Sequence, residues 1–459
     1  MSLAPVPQLP QATQDALKIW RAGVAAVQPR QLIAEQMSVS ERGVEAAGLT
    51  IPLAGVKRLV VVGAGKASAA MAIAFENQIL PQIRSQFGNL GCEGWINCPE
   101  GSFQEDDTKF IKLFAARPAG INLPTEKAVD GTQRILELVS ECGDEDLVVC
   151  LLSGGGSALL TAPAVGLTLS DKQAVSKQIA AAGGNIEQLN AVRRALSKVK
   201  AGGLARACQA PRLATLVLSD VLGDPLETIA SGPTWTATTP SHDNAFQVLK
   251  DLGIEEHDEL KNVVEFLRSS KGIKDWPDVT CEAQHIILGN NALAVTAAED
   301  KARELGYGSR SESASACEGD VSVVATRAAE RCENLINEKG KQCWISGGEP
   351  TVQLPNQPGK GGRNQQLCLE LVRDFQLPED FEAEFAFVSG GTDGEDGPTD
   401  AAGAYLDRTT WTKMTELGLS AQPYLESANA YEFFAQTEQL LITGATGTNV
   451  CDLRVALVR

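Results

Sequence analysis

Aromatic residues make up only 5% of the 459-residue chain, and histidine occurs three times. The first scarcity argues against a sandwich rich in Tyr and Trp. The second argues against zinc or a His-based proton relay, since His242, His257 and His285 include no i,i+4 pair. Eleven cysteines contain no CxxC pair and sit mostly in apolar runs such as Val148-Val149-Cys150-Leu151, so they read as reduced core residues. Positive charge is in deficit, 40 Lys plus Arg against 58 Asp plus Glu, a net charge of -18. General attraction to nucleic acid or anionic lipid is thereby excluded, and any anionic ligand must be held locally. Long hydrophobic runs are also missing. The longest uncharged stretch, Leu147 to Ser170, is broken by Gly154-Gly155-Gly156 and Pro163, so no membrane span is expected. No basic residue precedes Lys18 and no apolar leader follows, which points to a cytoplasmic protein.

Glycine, by contrast, is plentiful at 43 residues, and the length implies two or three domains. A helical pattern from Gln11 to about Arg30 precedes the apolar run Arg58-Leu59-Val60-Val61-Val62-Gly63, which reads as a buried parallel strand. A helix from near Lys66, a helix Thr125 to Val139, a strand Leu147 to Leu152, helices between Ser170 and Lys200 and a strand Leu213 to Leu218 continue the alternation. This is the rhythm of a Rossmann-like doubly wound sheet. The stretch 241–282 is charged and helical and reads as a bridge. From Ala283 strands and helices alternate again, so the expected domains are 1–240, the bridge, and a second α/β domain at 283–459.

Four strands end in Ser/Thr-Gly-rich loops, at Ser153 to Ser157, Ser346 to Glu349, Ser389 to Asp393 and Thr443 to Gly447. Ligands bind at the carboxyl ends of strands in open α/β sheets, and glycine lets backbone N–H groups approach an anion. One such loop is explained by a tight turn; four together point to phosphates. Gly63-Ala64-Gly65-Lys66-Ala67-Ser68 satisfies neither the Walker nor the dinucleotide fingerprint. It does place Lys66 at a helix start, where the dipole disfavours a cation unless an anion intervenes. Arg363, opening an apolar helix after Gly361-Gly362, repeats this arrangement. Asp393 and Asp396 in Thr392-Asp393-Gly394-Glu395-Asp396-Gly397 fail the EF-hand spacing but suit magnesium shared with phosphates, and Asp220 and Asp224 offer the same chemistry. Asx turns explain either acidic cluster equally well.

Together these motifs resemble the class II glycerate kinases, whose C-terminal part is called the MOFRL domain, here from about 340 to 459. The resemblance runs over nearly the whole chain. It rests on Gly63 to Ala67, Leu152 to Leu159, Asn190 to Lys200, Leu218 to Pro225, Gly347 to Val352, Gly361 to Gln365, Gly390 to Gly397 and Thr443 to Asn449. It implies an ATP- and Mg2+-dependent enzyme that phosphorylates D-glycerate at its 2-hydroxyl in an interdomain cleft, as a monomer or homodimer. It also implies Lys66 and Arg363 as active-site residues, and as two helix-start cations they are expected to meet across one cleft. Its motifs place Gly63, Gly65, Ser153, Gly154, Gly155, Gly156, Ser157, Lys200, Glu349, Asn364, Thr392 and Asn449 as substrate or nucleotide contacts. Asp393 and Asp396 are expected at the metal, and Asp220 or Asp393 as the group that accepts the hydroxyl proton. After Lys200 the family commonly has two glycines where this chain has Ala201-Gly202-Gly203. The alternatives are a hydroxypyruvate reductase, which needs a dinucleotide fingerprint and a proton donor that the sequence lacks, and a non-catalytic sensor of phosphorylated metabolites.

Overall fold

The computed structural model describes residues 9–118, 123–237, 239–270 and 278–459. Two compact units form, one from residues 32–219 and 224–288, the other from 1–31, 220–223 and 289–459. The first opens with an antiparallel meander, β1 (Met37–Ser40), β2 (Gly43–Ala46) and β3 (Leu49–Pro52). Its main sheet comprises β4 (Arg58–Ala64), β5 (Gly91–Pro99), β6 (Ile111–Arg117), β7 (Asp146–Ser153), β8 (Arg212–Leu218) and β9 (Glu282–Gly289). The strand order is β6-β5-β4-β7-β8-β9, and β4 to β8 are all parallel. The chain therefore winds outward in one direction from β4 and in the other from β7, which makes the β4/β7 junction the topological switch point.

Continuous apolar sequence produces the central strands because helices cover both faces. Every residue of β7 is buried, and in β4 all but Arg58. Arg58 is instead fixed at the sheet's lower edge by a fork onto Asp146 at 2.5 and 3.0 Å. The stretch expected to bridge the domains belongs to this unit. Helices His242–Asp251 and Lys261–Ser269 bury Val248, Leu249, Val263 and Leu267 against helices Leu169–Ala181 and Ile186–Ala195. The expected bridge also includes residues 271–277, which lie outside the described residues.

The second unit holds β10 (Gly308–Ser313), β11 (Gln342–Gly348), β12 (Phe385–Gly391), β13 (Gly403–Asp407), β14 (Leu440–Leu441) and β15 (Asp452–Val458), in the order β10-β11-β15-β12-β13-β14. It is an α/β layer structure, but only β10 and β11 pair in parallel; the other pairings are antiparallel. The first helix, Gln11–Ala26, is a further departure from the expected division at residue 240. Its apolar face packs on this sheet, and Trp20 Nε1 donates to the Leu453 carbonyl at 3.1 Å. Ala12, Ala16, Ile19, Trp20 and Val24 form a stripe that needs an apolar partner, and the sheet of the second unit supplies it.

Candidate functional site

In the first unit the sequence-selected residues converge on the switch point. Gly63 lies inside β4, where an added Cβ would stand 2.0 Å from the Leu151 carbonyl oxygen, so strand packing alone accounts for it. Gly65 adopts φ 151° and passes 2.1 Å from Ser153 Oγ when a Cβ is imagined, so only glycine turns the chain here. Lys66 N–H donates to the Gly154 carbonyl at 2.7 Å, which couples the loop after β4 to the loop after β7. Ser153 faces inward. Its hydroxyl accepts from Ala67 N–H at 3.0 Å and lies 3.2 Å from Ser68 Oγ, so it fixes the helix start and does not present itself to a ligand.

Gly155, at φ 73°, leaves space between two basic side chains: a Cβ there would stand 3.3 Å from both Lys66 Cγ and Arg117 Nη2. Arg117 ends β6 and is 2% exposed. Nothing in its sequence context, Ala-Ala-Arg-Pro, marks it as a site residue. Gly156 approaches Ala230, which with Ser231 and Gly232 forms three successive residues of positive φ, 50°, 64° and 61°. Ser157 is exposed, and its hydroxyl lies 2.8 Å from Ser231 Oγ. Lys200 is buried, and its ammonium donates to the Ser157 carbonyl and Ser231 Oγ. In the turn after it, Ala201 takes φ 48° and Gly202 φ 80°.

In the second unit β15 runs antiparallel to both β11 and β12, so Asp452 at its start pairs with Gly348 and Gly391 at their ends. Two Gly-rich loops thus flank one buried carboxylate. Arg363, first residue of helix Arg363–Asp374, forks onto Asp452 with Nε at 2.7 Å and Nη2 at 3.0 Å, and Nη1 reaches Glu349 at 2.8 Å. Asp452 was not singled out by sequence because an acid heading an apolar strand has no distinguishing pattern. The expectation that Arg363 stands unbalanced against its helix dipole is corrected: two carboxylates neutralise it. Burial opposes its charge, but Asp452 and Glu349 outweigh burial and raise its pKa.

Asp396 serves the same helix. It is buried, and its carboxylate accepts from Asn364 N–H at 3.0 Å and Gln365 N–H at 2.8 Å, capping the helix that carries Arg363. Burial pushes it up to about 7. Asn364 is equally inward, accepting from Ser389 Oγ at 2.6 Å and donating to Asp396. Thr392 spends its hydroxyl on the Cys451 carbonyl and Val450 N–H, tying down the loop before β15. Asp393 is half-buried and accepts from Glu395 N–H, an Asx turn. Asn449 Nδ2 donates to Asp220 Oδ2 at 3.4 Å, and Cys451 Sγ donates to the Asp220 carbonyl at 2.8 Å, so these loops hold Asp220 in place. Among the described residues no three carboxylate, thiol or imidazole groups stand together as a metal site. The expected use of Asp393 or Asp396, one or two carboxylates holding magnesium together with substrate phosphates, needs no such group of three.

The first unit is thus an α/β protein with a Rossmann-ordered sheet that brings Lys66 and Arg117 beside the glycine loop at its switch point, where ligands bind in open sheets of this kind. Among family models, residues 15–268 match a domain of unknown function (DUF4147) and residues 342–452 the MOFRL family. The chain is 32% identical to the glycerate kinase of Rattus norvegicus, over 96% of this chain and 92% of that one. It is 32% identical to the D-glycerate 2-kinase of Thermotoga maritima, over 96% and 97%. A crystal structure of glycerate kinase from Thermotoga maritima superposes with a TM-score of 0.79 at 31% identity, covering 97% of this chain and 99% of that one. The chain belongs to the glycerate kinase family.

Proposed function

We propose that this protein transfers the γ-phosphoryl group of ATP to the 2-hydroxyl of D-glycerate. The observation that carries the reading is the convergence of Lys66, Arg117 and the Gly154–Gly156 loop at the β4/β7 switch point. Phosphoryl transfer needs chiefly positioning and charge neutralisation, which backbone amides and cations supply without histidine. Lys66 and Arg363 are the proposed catalytic cations, and Asp220, oriented by Asn449, is the proposed acceptor of the hydroxyl proton. Gly65, Gly154, Gly155, Gly156, Ser157 and Lys200 are the proposed phosphate contacts, with Glu349 and Thr392 shaping the second unit's loops. Magnesium is proposed to arrive on the nucleotide's phosphates, the usual mode for that ion. The enzyme is proposed to act in the cytoplasm; among the described residues no helix is long and apolar enough to cross a membrane.

Incubation of the purified protein with ATP, magnesium and D-glycerate, with phosphorus NMR of the products, tests the reading. The expected product is 2-phosphoglycerate with stoichiometric ADP. NADH oxidation with hydroxypyruvate in the absence of ADP formation would overturn it in favour of a reductase.

A further inference from the structure

Three basic side chains of the first unit gather with no carboxylate partner among the described residues. Lys172 and Lys200 are 7% and 4% exposed, and Arg193 is half-buried. Lys200 Nζ donates to the Ser157 carbonyl at 3.2 Å and to Ser231 Oγ at 3.0 Å, while Lys172 Nζ lies 3.5 Å from Thr161 Oγ1. Ser157 and Thr161 sit on one short segment leaving the Gly154–Gly156 loop, so the two ammoniums flank the same stretch of backbone. Arg193 Nε donates to Ser176 Oγ at 3.2 Å, and that hydroxyl donates to the Lys172 carbonyl at 2.9 Å, which links the two helices.

Each partner is a neutral oxygen, and among the described residues none of the three cations pairs with a carboxylate. Asp171, next to Lys172 in sequence, is engaged elsewhere: Oδ2 accepts from Thr168 and Oδ1 from Asn262. Burial, and then the charge of Arg193, pushes the Lys172 ammonium down to about 8. Burial, and then the charges of Lys172 and Arg193, hold the Lys200 ammonium well below its ordinary value. Burying unpaired ammonium groups is costly, and a fold that keeps such groups together reserves them for an anion.

We propose that Lys172, Arg193 and Lys200 form a phosphate-binding cluster opening at the Ser157 and Ser231 hydroxyls. The ligand is a phosphate-bearing one, either the nucleotide donor or the phosphorylated product, and this assignment rests on the kinase reading above. Three cations match the charge of a polyphosphate better than the single carboxylate of glycerate.

The test uses the full chain and the variants Lys172→Met and Arg193→Met, with Lys172→Arg as the charge-retaining control. Calorimetry measures the affinity of inorganic tripolyphosphate, ATP and 2-phosphoglycerate, and melting is followed without ligand. Each Met variant is expected to weaken tripolyphosphate binding by about tenfold or more, with Lys172→Arg close to wild type. The unliganded Lys172→Met protein should melt no lower than wild type, because an uncompensated buried charge has gone. A loss confined to ATP assigns the donor, and one confined to 2-phosphoglycerate assigns the product. Failure of tripolyphosphate to bind the wild type, or unchanged affinities in both Met variants, overturns the cluster. Those results leave the kinase reading intact if D-glycerate is still phosphorylated. Inertness toward D-glycerate in a protein that binds tripolyphosphate through these residues overturns the kinase reading alone.

Discussion

Individual residues at the two sets of loops answer to different pressures. Lys66, whose Cγ lies beside Gly155, is a proposed catalytic cation, and its replacement tests that role. Lys66→Ala is expected to lower kcat/KM by roughly two to three orders of magnitude, as for a lost charge-assisted contact in the transition state. Arg363→Ala should show that loss and a loss of stability besides, because it also strands Asp452, which is fully buried. A stability loss of about 2–3 kcal/mol is expected, below the 3–5 of a fully enclosed pair since the guanidinium is a third exposed. Arg363→Lys should not restore it, as a point charge cannot reproduce the fork onto Asp452. Ala201 offers the opposite case. Held at φ 48°, it should gain about 1 kcal/mol on replacement by Gly, read as a raised denaturation midpoint with turnover kept.

Helices and strands show where sequence patterns carry structural information and where they fall silent. The helix bearing Arg363 is capped by a carboxylate whose proton is held more tightly in the folded protein than in the unfolded chain. The stability this group contributes is thus fully present below its unfolded value, about pH 4, and is lost as pH rises through about 7. The Asp396→Asn variant should show a flatter dependence of melting temperature on pH across that window. Strands β4, β7 and β8 were legible because burial on both faces leaves uninterrupted apolar runs. Strand β10, Gly-Ser-Arg-Ser-Glu-Ser, was not, since a largely exposed edge strand needs no apolar residue. The antiparallel direction of β15 was equally hidden, because apolar content reports burial and not direction. Lys172 and Arg193 were overlooked because a basic residue on an amphipathic helix ordinarily faces water. Glycine loops and helix-start cations stood out, whereas the carboxylates that neutralise or cap them are contributed by distant segments, as Asp452 and Asp396 are.

Across the molecule, a net charge of -18 coexists with cations concentrated at the first unit's strand ends. The second unit is discontinuous in a way that bears on its synthesis. Its central strand, β15, begins at Asp452, while the helix covering its sheet ends at Ala26. At a ribosomal rate of 5–20 residues per second, that helix waits roughly 20–90 s for the strand whose Leu453 carbonyl receives Trp20. During the wait its stripe of Ile19, Trp20 and Val24 is without its sheet, a binding site for chaperones or for another nascent chain. Chains truncated before residue 452 should therefore be cleaved by protease within residues 11–26 while the first unit resists, and full-length chains should resist at both places. Codon changes that slow elongation between residues 26 and 452 lengthen that wait and should lower the soluble yield, whereas equal changes before residue 11 should not.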